Sequence, residues 1–149
     1  MKTLKIEIPK GFVIDKFDEE TGDITFKEKP KNVMERIKTF EDVLADNNIT
    51  KELFNNTLVG LTADEIAYKQ IKLICKSLNE GWEPDWDNSS EYKYYPLFKM
   101  SSSGFRCNDC GYWATSSAVG SRLCFRSSEL AKYACIQFTE IYKNHLLIK

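Results

Sequence analysis

Apolar and polar residues change their period along the chain, and each change predicts a different kind of element. Residues 4–8, Leu-Lys-Ile-Glu-Ile, alternate apolar and charged side chains, which is the period of a half-buried strand. Residues 12–17 and 24–27 are two further strand-like segments, on either side of the turn sequence Glu-Thr-Gly-Asp at 20–23. The chain is therefore expected to begin with a β-hairpin or a three-stranded meander.

Beyond Pro30 the apolar period lengthens to that of a helix, and the stripe consists of Val33, Ile37, Phe40 and Leu44. Two capping signals compete for its start: Asn32 with Glu35, and Thr39 with Asp42. This segment is therefore predicted to hold either one helix or two.

A longer helix is predicted for residues 63–80, preceded by a short helical turn around Leu53 and Phe54. Thr62 and Glu65 form a capping-box pattern, and Gly81 stands where a helix C-terminus favours glycine. The apolar stripe of this helix consists of Ala67, Ile71, Ile74 and Leu78.

The C-terminal third returns to the strand period at 94–100, 105–113 and 121–125, with serine-rich turns between. A final helix is expected from Ser127 or Ser128, and its stripe consists of Leu130, Ala134, Phe138 and Ile141. The predicted fold class is α+β over one domain, residues 1–149. It comprises the N-terminal hairpin or meander, two or three central helices, and a C-terminal antiparallel meander with a closing helix packed on the sheet.

Composition indicates a chain that can bury a core, with 42 % hydrophobic and 13 % aromatic residues. The net charge of −1 gives no overall attraction to nucleic acid or to membranes. No apolar run is long enough to cross a bilayer, and the alternating N-terminus does not resemble a signal peptide. Five scattered cysteines, an odd number, favour reduced thiols and a cytoplasmic location.

The segment 81–98 concentrates tryptophan and tyrosine among carboxylates and two prolines. Large aromatic side chains supply either core packing or a recognition surface, since tyrosine and tryptophan keep one polar atom. If they face solvent, the candidate contact residues are Trp82, Trp86, Tyr92, Tyr112 and Trp113. The sequence alone does not decide between core and surface.

Two groups of side chains suggest a metal. Cys107 and Cys110, with Cys124 and Cys135, could imitate a four-thiolate zinc site, but ten residues separate the second pair. Packing as small buried hydrophobic residues is the favoured interpretation of these cysteines. Oxygen ligands could come from three acidic side chains of the aromatic segment, namely Asp85, Asp87 and Glu91.

A catalytic set is not apparent in the sequence. His145 is the only histidine and lies near the C-terminus, so a Ser-His-Asp or Cys-His system is hard to assemble. Glycines are dispersed and form no phosphate-binding loop. We therefore expect no enzymatic activity, no catalytic residues, no bound metal and no cofactor, with a metal-dependent enzyme using the three acidic residues as the remote alternative.

Binding of single-stranded nucleic acid is another alternative function, because bases stack on exposed aromatic rings beside cations. The cations that could serve this role are Lys93, Lys99, Arg106, Arg122 and Arg126. Affinity for such a ligand should fall steeply with salt concentration.

Two blocks of the chain carry a resemblance. Residues 79–86, Asn-Glu-Gly-Trp-Glu-Pro-Asp-Trp, with Tyr92-Lys93-Tyr94-Tyr95-Pro96, resemble a signature of small uncharacterised proteins of phages, prophages and mobile elements of gut Bacteroides-group bacteria. Residues 119–134, from Val-Gly-Ser-Arg-Leu-Cys-Phe onward, are similar to the C-terminal block of that family. The resemblance implies no established activity. It favours a non-catalytic protein-binding module that acts on a host or phage protein in the bacterial cytoplasm.

Overall fold

The computed structural model describes Thr3 and residues 5–148. Contacts within the chain divide it into two compact units, Met1–Asn32 and Val33–Lys149. Each unit contains an antiparallel two-stranded sheet, and the helices all belong to the second unit. The predicted α+β class is confirmed. That residues 1–149 fold as a single domain stays a prediction.

The first unit is a β-hairpin of strands β1 (Phe12–Phe17) and β2 (Ile24–Glu28), as predicted. Its turn forms because the Asp18 carboxylate accepts the backbone N–H groups of Glu20 and Thr21, at 2.9 and 3.1 Å. Gly22 completes the turn with φ +77°, a conformation that only glycine adopts at little cost.

The strand predicted at 4–8 is not found in the described residues 5–8, and Leu4 lies outside the described residues. Ile6 and Ile8 are exposed instead. An alternating pattern marks a face that can be buried. A strand forms only where a partner backbone and a covering surface are also present.

The second unit begins with four helices rather than the expected two or three: α1 (Val33–Arg36), α2 (Phe40–Asp46), α3 (Lys51–Asn56) and α4 (Ala63–Asn79). The second start signal divides the first helical segment in two. Thr39 and Asp42 form a complete capping box, in which the Asp42 carboxylate accepts the Thr39 N–H at 2.8 Å and the Thr39 hydroxyl accepts the Asp42 N–H at 3.2 Å. Such a cap fixes a new helix start.

Helix α4 confirms the predicted 63–80 helix almost to the residue. The Glu65 carboxylate accepts the Thr62 N–H at 2.7 Å, and Glu80 and Gly81 end the helix with φ +49° and +85°. The buried Asn79 amide ties this end to a later segment, donating to the Cys124 carbonyl at 2.9 Å. All four stripe residues of α4 are buried.

The C-terminal hairpin consists of β3 (Lys93–Lys99) and β4 (Arg106–Trp113), in place of the predicted three-stranded meander. The predicted strand at 121–125 is wrong. Only Phe125 pairs, through two backbone hydrogen bonds with Tyr94 at 2.9 and 2.7 Å. The residues before it form turns, so they make no continuous ladder.

Two helices close the chain instead of one: α5 (Ser128–Gln137) and α6 (Thr139–Leu146), which meet at Phe138. The Thr139 hydroxyl donates to the Cys135 carbonyl at 2.7 Å, the kind of back-bonding that bends helices. Helix α5 packs on both strands of the β3–β4 hairpin, as expected for the closing helix, while α6 packs on α4.

One hydrophobic core joins these elements, and its buried members run from Val33 to Tyr142. Helix α4 supplies Ile71, Ile74 and Leu78, which are fully buried. No helix within the described residues combines the length and apolar character that a bilayer crossing requires.

A disulfide joins β4 to α5. Cys107 and Cys135 are bonded, with their Cα atoms 5.3 Å apart, while Cys75, Cys110 and Cys124 are free. The expectation that all five thiols are reduced is therefore wrong for this pair. An odd number of cysteines excludes only that all of them are bonded, and here one pair is bonded while three cysteines stay free.

Candidate functional site: a lysine-centred loop and a basic groove

Lys93 is the unexpected centre of the aromatic segment. It starts strand β3, and only 1 % of its side chain is accessible to solvent. A buried ammonium is costly unless its hydrogen-bonding and charge requirements are met inside the protein. The surrounding loop meets both requirements.

Four backbone carbonyls surround the Lys93 ammonium. It donates to Glu91 at 2.8 Å, to Ala114 at 3.0 Å, to Asn88 at 3.3 Å, and also to Asp85. An ammonium has only three hydrogens, so the four carbonyls share them. We call residues 85–91 the lysine loop, because their backbone is folded around this one cation.

The Glu91 carboxylate supplies the countercharge and a second tie. Its Oε1 atom lies 3.3 Å from the Lys93 nitrogen and accepts the Asp85 N–H at 2.9 Å. The Asp85 N–H and then the Lys93 ammonium hold the pKa of the Glu91 carboxyl below its ordinary value. Glu91 is therefore ionised at neutral pH.

Trp86 covers the ammonium. The Lys93 nitrogen lies 5.3 Å from the centre of the Trp86 ring, within the range of a cation–π contact. The indole N–H donates to the Ser121 hydroxyl at 2.8 Å, which attaches the lysine loop to the segment before Phe125. The Lys93 ammonium and the Trp86 indole N–H thus both have hydrogen-bond acceptors within the protein.

The acidic residues of the loop do not form the metal cluster that the alternative of a metal-dependent enzyme requires. The Asp85 carboxylate accepts the Asp87 N–H at 3.0 Å, and Glu91 is bound to Lys93. Within Thr3 and residues 5–148, no group of three or more His, Cys, Asp or Glu side chains is placed to hold a metal ion. The zinc alternative fails similarly, since Cys107 is bonded to Cys135.

A groove of about 1000 Å³ opens beside the lysine loop, between α3, α4 and the segments 81–84 and 121–122. Its apolar lining comes from Ile49, Leu53, Phe54, Leu73, Trp82 and Pro84. Leu53 is 57 % exposed, so part of this apolar surface meets solvent. We call this cavity the basic groove, for the charge described next.

One acidic side chain, Glu83, lines the basic groove. The four basic side chains that line it are Lys69, Lys72, Lys76 and Arg122. None of the four forms an ion pair among the described residues. Lys69 donates to the Thr57 carbonyl at 3.1 Å, and Lys72 lies 5.0 Å from the Tyr68 ring centre. The formal charge of +3 contrasts with the net −1 of the whole chain.

The only thiol in the basic groove is unsuited to nucleophilic chemistry. Cys75 is buried, and burial raises the pKa of its thiol far above the ordinary value. Nucleophilic attack requires the thiolate, which such a pKa suppresses at neutral pH. The groove thus combines apolar and cationic side chains with a thiol that is not ionised at neutral pH.

Further aromatic residues form two ring pairs at one end of the β3–β4 hairpin. The rings of Tyr92 and Tyr112 lie 4.8 Å apart, and Trp113 stacks on Tyr95 at 6.2 Å. A Cβ at Gly111 would come within 2.5 Å of the Tyr95 ring, so glycine is needed for this close approach. Tyr112 and Trp113 remain exposed.

The structure therefore distributes the five predicted aromatic contact residues, together with the predicted cations Arg106 and Arg122, over four places. Trp82 and Arg122 line the basic groove. Trp86 covers Lys93, and Tyr92, Tyr112 and Trp113 lie at one end of the hairpin. Arg106 pairs with Lys99 at the other end.

Two of the cations proposed for nucleic acid are already engaged. Lys93 is buried in the lysine loop, and Arg126 pairs with Glu80 at 2.7 Å. Sequence reasoning also missed the three groove lysines of α4. Their spacing of three and four residues, opposite the buried stripe, was the available signal, but it is typical of any solvent-facing helix surface.

Comparison of the chain with protein-family models, with curated proteins and with solved structures finds no match.

Proposed function

We propose that this protein is a non-catalytic protein-binding module, and that the basic groove is its binding surface. The observation that carries the proposal is an apolar groove lining, exposed at Leu53, next to four cations that form no ion pair among the described residues. Concave apolar surfaces with a few polar groups are the usual form of binding sites. Trp82 adds a large ring of the kind that dominates interface energies.

The resemblance to proteins of phages and mobile elements supports a partner from the phage or from its bacterial host. The corresponding location is the bacterial cytoplasm, and it rests on the resemblance alone, because a disulfide such as Cys107–Cys135 is rare in that compartment. A protein carried by a mobile element acts on components of the host cell, and a binding module needs no catalytic set to do so. The suppressed Cys75 thiolate supports the non-catalytic assignment.

Capture from a Bacteroides lysate tests the proposal with two matched variants. Leu53→Asp places a charge in the basic groove, whereas Ile136→Asp makes the same kind of change on α5, where Ile136 is 69 % exposed and outside the groove. We expect wild type and Ile136→Asp to retain one stoichiometric protein, and Leu53→Asp to lose it.

A third variant separates the two exposed surfaces. Loss of the partner only in the double variant Tyr112→Ala, Trp113→Ala would move the binding surface to the hairpin and contradict the groove. A captured nucleic acid, recognised by a high 260/280 nm ratio that collapses with nuclease, would contradict protein binding itself.

A further inference from the structure

We infer that the ligand of the basic groove is an acidic amphipathic helix, whose apolar face contacts the groove lining and whose carboxylates meet the lysines of α4. This inference rests on the proposed function and adds the chemistry of the partner.

The positive charge of the basic groove predicts that its ligand is anionic. Three lysines and Arg122 surround a cavity with a single carboxylate, Glu83. Like charges gathered around one cavity repel each other, and an anionic ligand relieves that repulsion while complementary charge fixes its orientation. A ligand with carboxylates along one side meets this requirement.

The spacing of the three lysines on α4 gives the length over which the carboxylates of the ligand must lie. Lys69, Lys72 and Lys76 follow each other at three and four residues on α4, so they form one row. At 1.5 Å per residue the row covers roughly 10.5 Å along the helix axis. Carboxylates at the same three and four spacing on a second helix reproduce this row, because both helices have the same rise.

The walls favour a helix over an extended strand. Helices α3 and α4 form two walls, and neither offers free backbone groups for pairing along its length. Strand addition needs the open edge of a sheet, whereas a helix binds through side chains laid into an apolar groove. The apolar lining includes Leu53, Phe54 and Leu73, side chains that suit such packing.

Fluorescent 18-residue peptides test the inference on the full-length protein. Three acidic peptides carry leucine, phenylalanine or methionine on a helical stripe flanked by glutamates. Their basic counterparts replace every glutamate with lysine. We expect at least one acidic peptide to bind, and to bind at least tenfold more tightly than its basic counterpart, since three ion pairs each contribute modestly.

Charge reversal supplies the decisive comparison. The triple variant Lys69→Glu, Lys72→Glu, Lys76→Glu changes only side chains on the groove side of α4, and circular dichroism checks that it folds. We expect its preference to invert, so that the basic peptide binds more tightly. The matched control, Lys132→Glu with Lys143→Glu and Lys99→Glu, should keep the preference for the acidic peptide.

Several results would overturn the inference. Equal binding of acidic and basic peptides, no binding of any acidic peptide, or an unchanged preference in the triple variant would each do so. Tighter binding of oleate or of a dT20 oligonucleotide, lost in the triple variant, would assign the groove to a fatty acid or to nucleic acid instead. If the peptides give one of these results while Leu53→Asp still loses the lysate partner, the proposed protein binding stands and only the acidic helix fails.

Discussion

Lys93 shows how one buried side chain can organise a whole segment. Its ammonium gathers the carbonyls of Asp85, Asn88, Glu91 and Ala114, and the Glu91 carboxylate neutralises it. Removal of a partner from such a site costs more than the site contributes when intact, because the remaining polar groups stay buried and unpaired.

We therefore predict that Lys93→Met lowers the free energy of unfolding by about 3 kcal/mol, because four backbone carbonyls lose the donor that they share inside the protein. Methionine keeps a flexible stem of similar length, so the substitution removes the charge while leaving most of the packing. Urea denaturation followed by tryptophan fluorescence measures the change. Lys99→Met is the control, since Lys99 is exposed on the same strand. Equal stability of the two variants would refute the role of the ammonium.

The sequence could not reveal Lys93 in this role. Its neighbours Tyr92 and Tyr94 predict a strand, and the strand period alone gives a lysine no reason to be buried. The carbonyls that make burial possible come from a loop and from Ala114, twenty-one residues further along the chain. Trp82 and Arg122 were predicted as contact residues, but their shared groove depends on the placement of α4.

At the level of elements, capping signals between neighbouring residues predict helix starts, whereas strand patterns fail where the strand needs a distant partner. The capping boxes at Thr39 and Thr62 involve residues three apart, so the sequence contains all of their determinants. The strand expected at 121–125 depended on an open edge of β3, and only Phe125 reaches it. Helix α5 ends at Phe138 although the apolar stripe continues into α6.

The bond between β4 and α5 yields a prediction at the same scale. When cells are lysed in a denaturing solution of an alkylating reagent, three of the five cysteines should become alkylated. Cys107→Ser should lower the free energy of unfolding by about 3 kcal/mol, since the bond closes a chain segment 28 residues long.

Cys110→Ser is the control for the disulfide, because Cys110 lies on the same strand and is free. It should lower the thiol count to two and leave stability nearly unchanged. Five reactive thiols in the wild-type protein would contradict the bond and restore the expectation of fully reduced cysteines.

At the scale of the whole molecule, the division into two compact units raises the question of whether residues 1–149 fold as the predicted single domain. Among Thr3 and residues 5–148, every buried member of the hydrophobic core lies between Val33 and Tyr142. The hairpin of the first unit leaves Phe12, Ile14 and Phe17 exposed. A two-stranded hairpin alone is only marginally stable in water, so the two units are expected to differ in their capacity to fold independently.

We predict that the truncated chain 33–149 unfolds cooperatively and within a few degrees of the full-length protein. Differential scanning calorimetry measures both transitions, and hydrogen exchange of the α4 amides provides a second readout. A broad, non-cooperative transition in the truncated chain would show instead that residues 1–32 complete the fold, as the single-domain prediction requires.

The lysine loop also differs from an ion-binding loop in how its cation is supplied. A calcium loop exchanges its ion with the surroundings, so a chelator or dilution empties it. Here the cation is attached to β3 by a four-carbon stem, and its effective concentration at the carbonyls is set by the chain itself. The conformation of residues 85–91 therefore does not depend on the concentration of any ion in solution. It depends on one residue of the chain, Lys93.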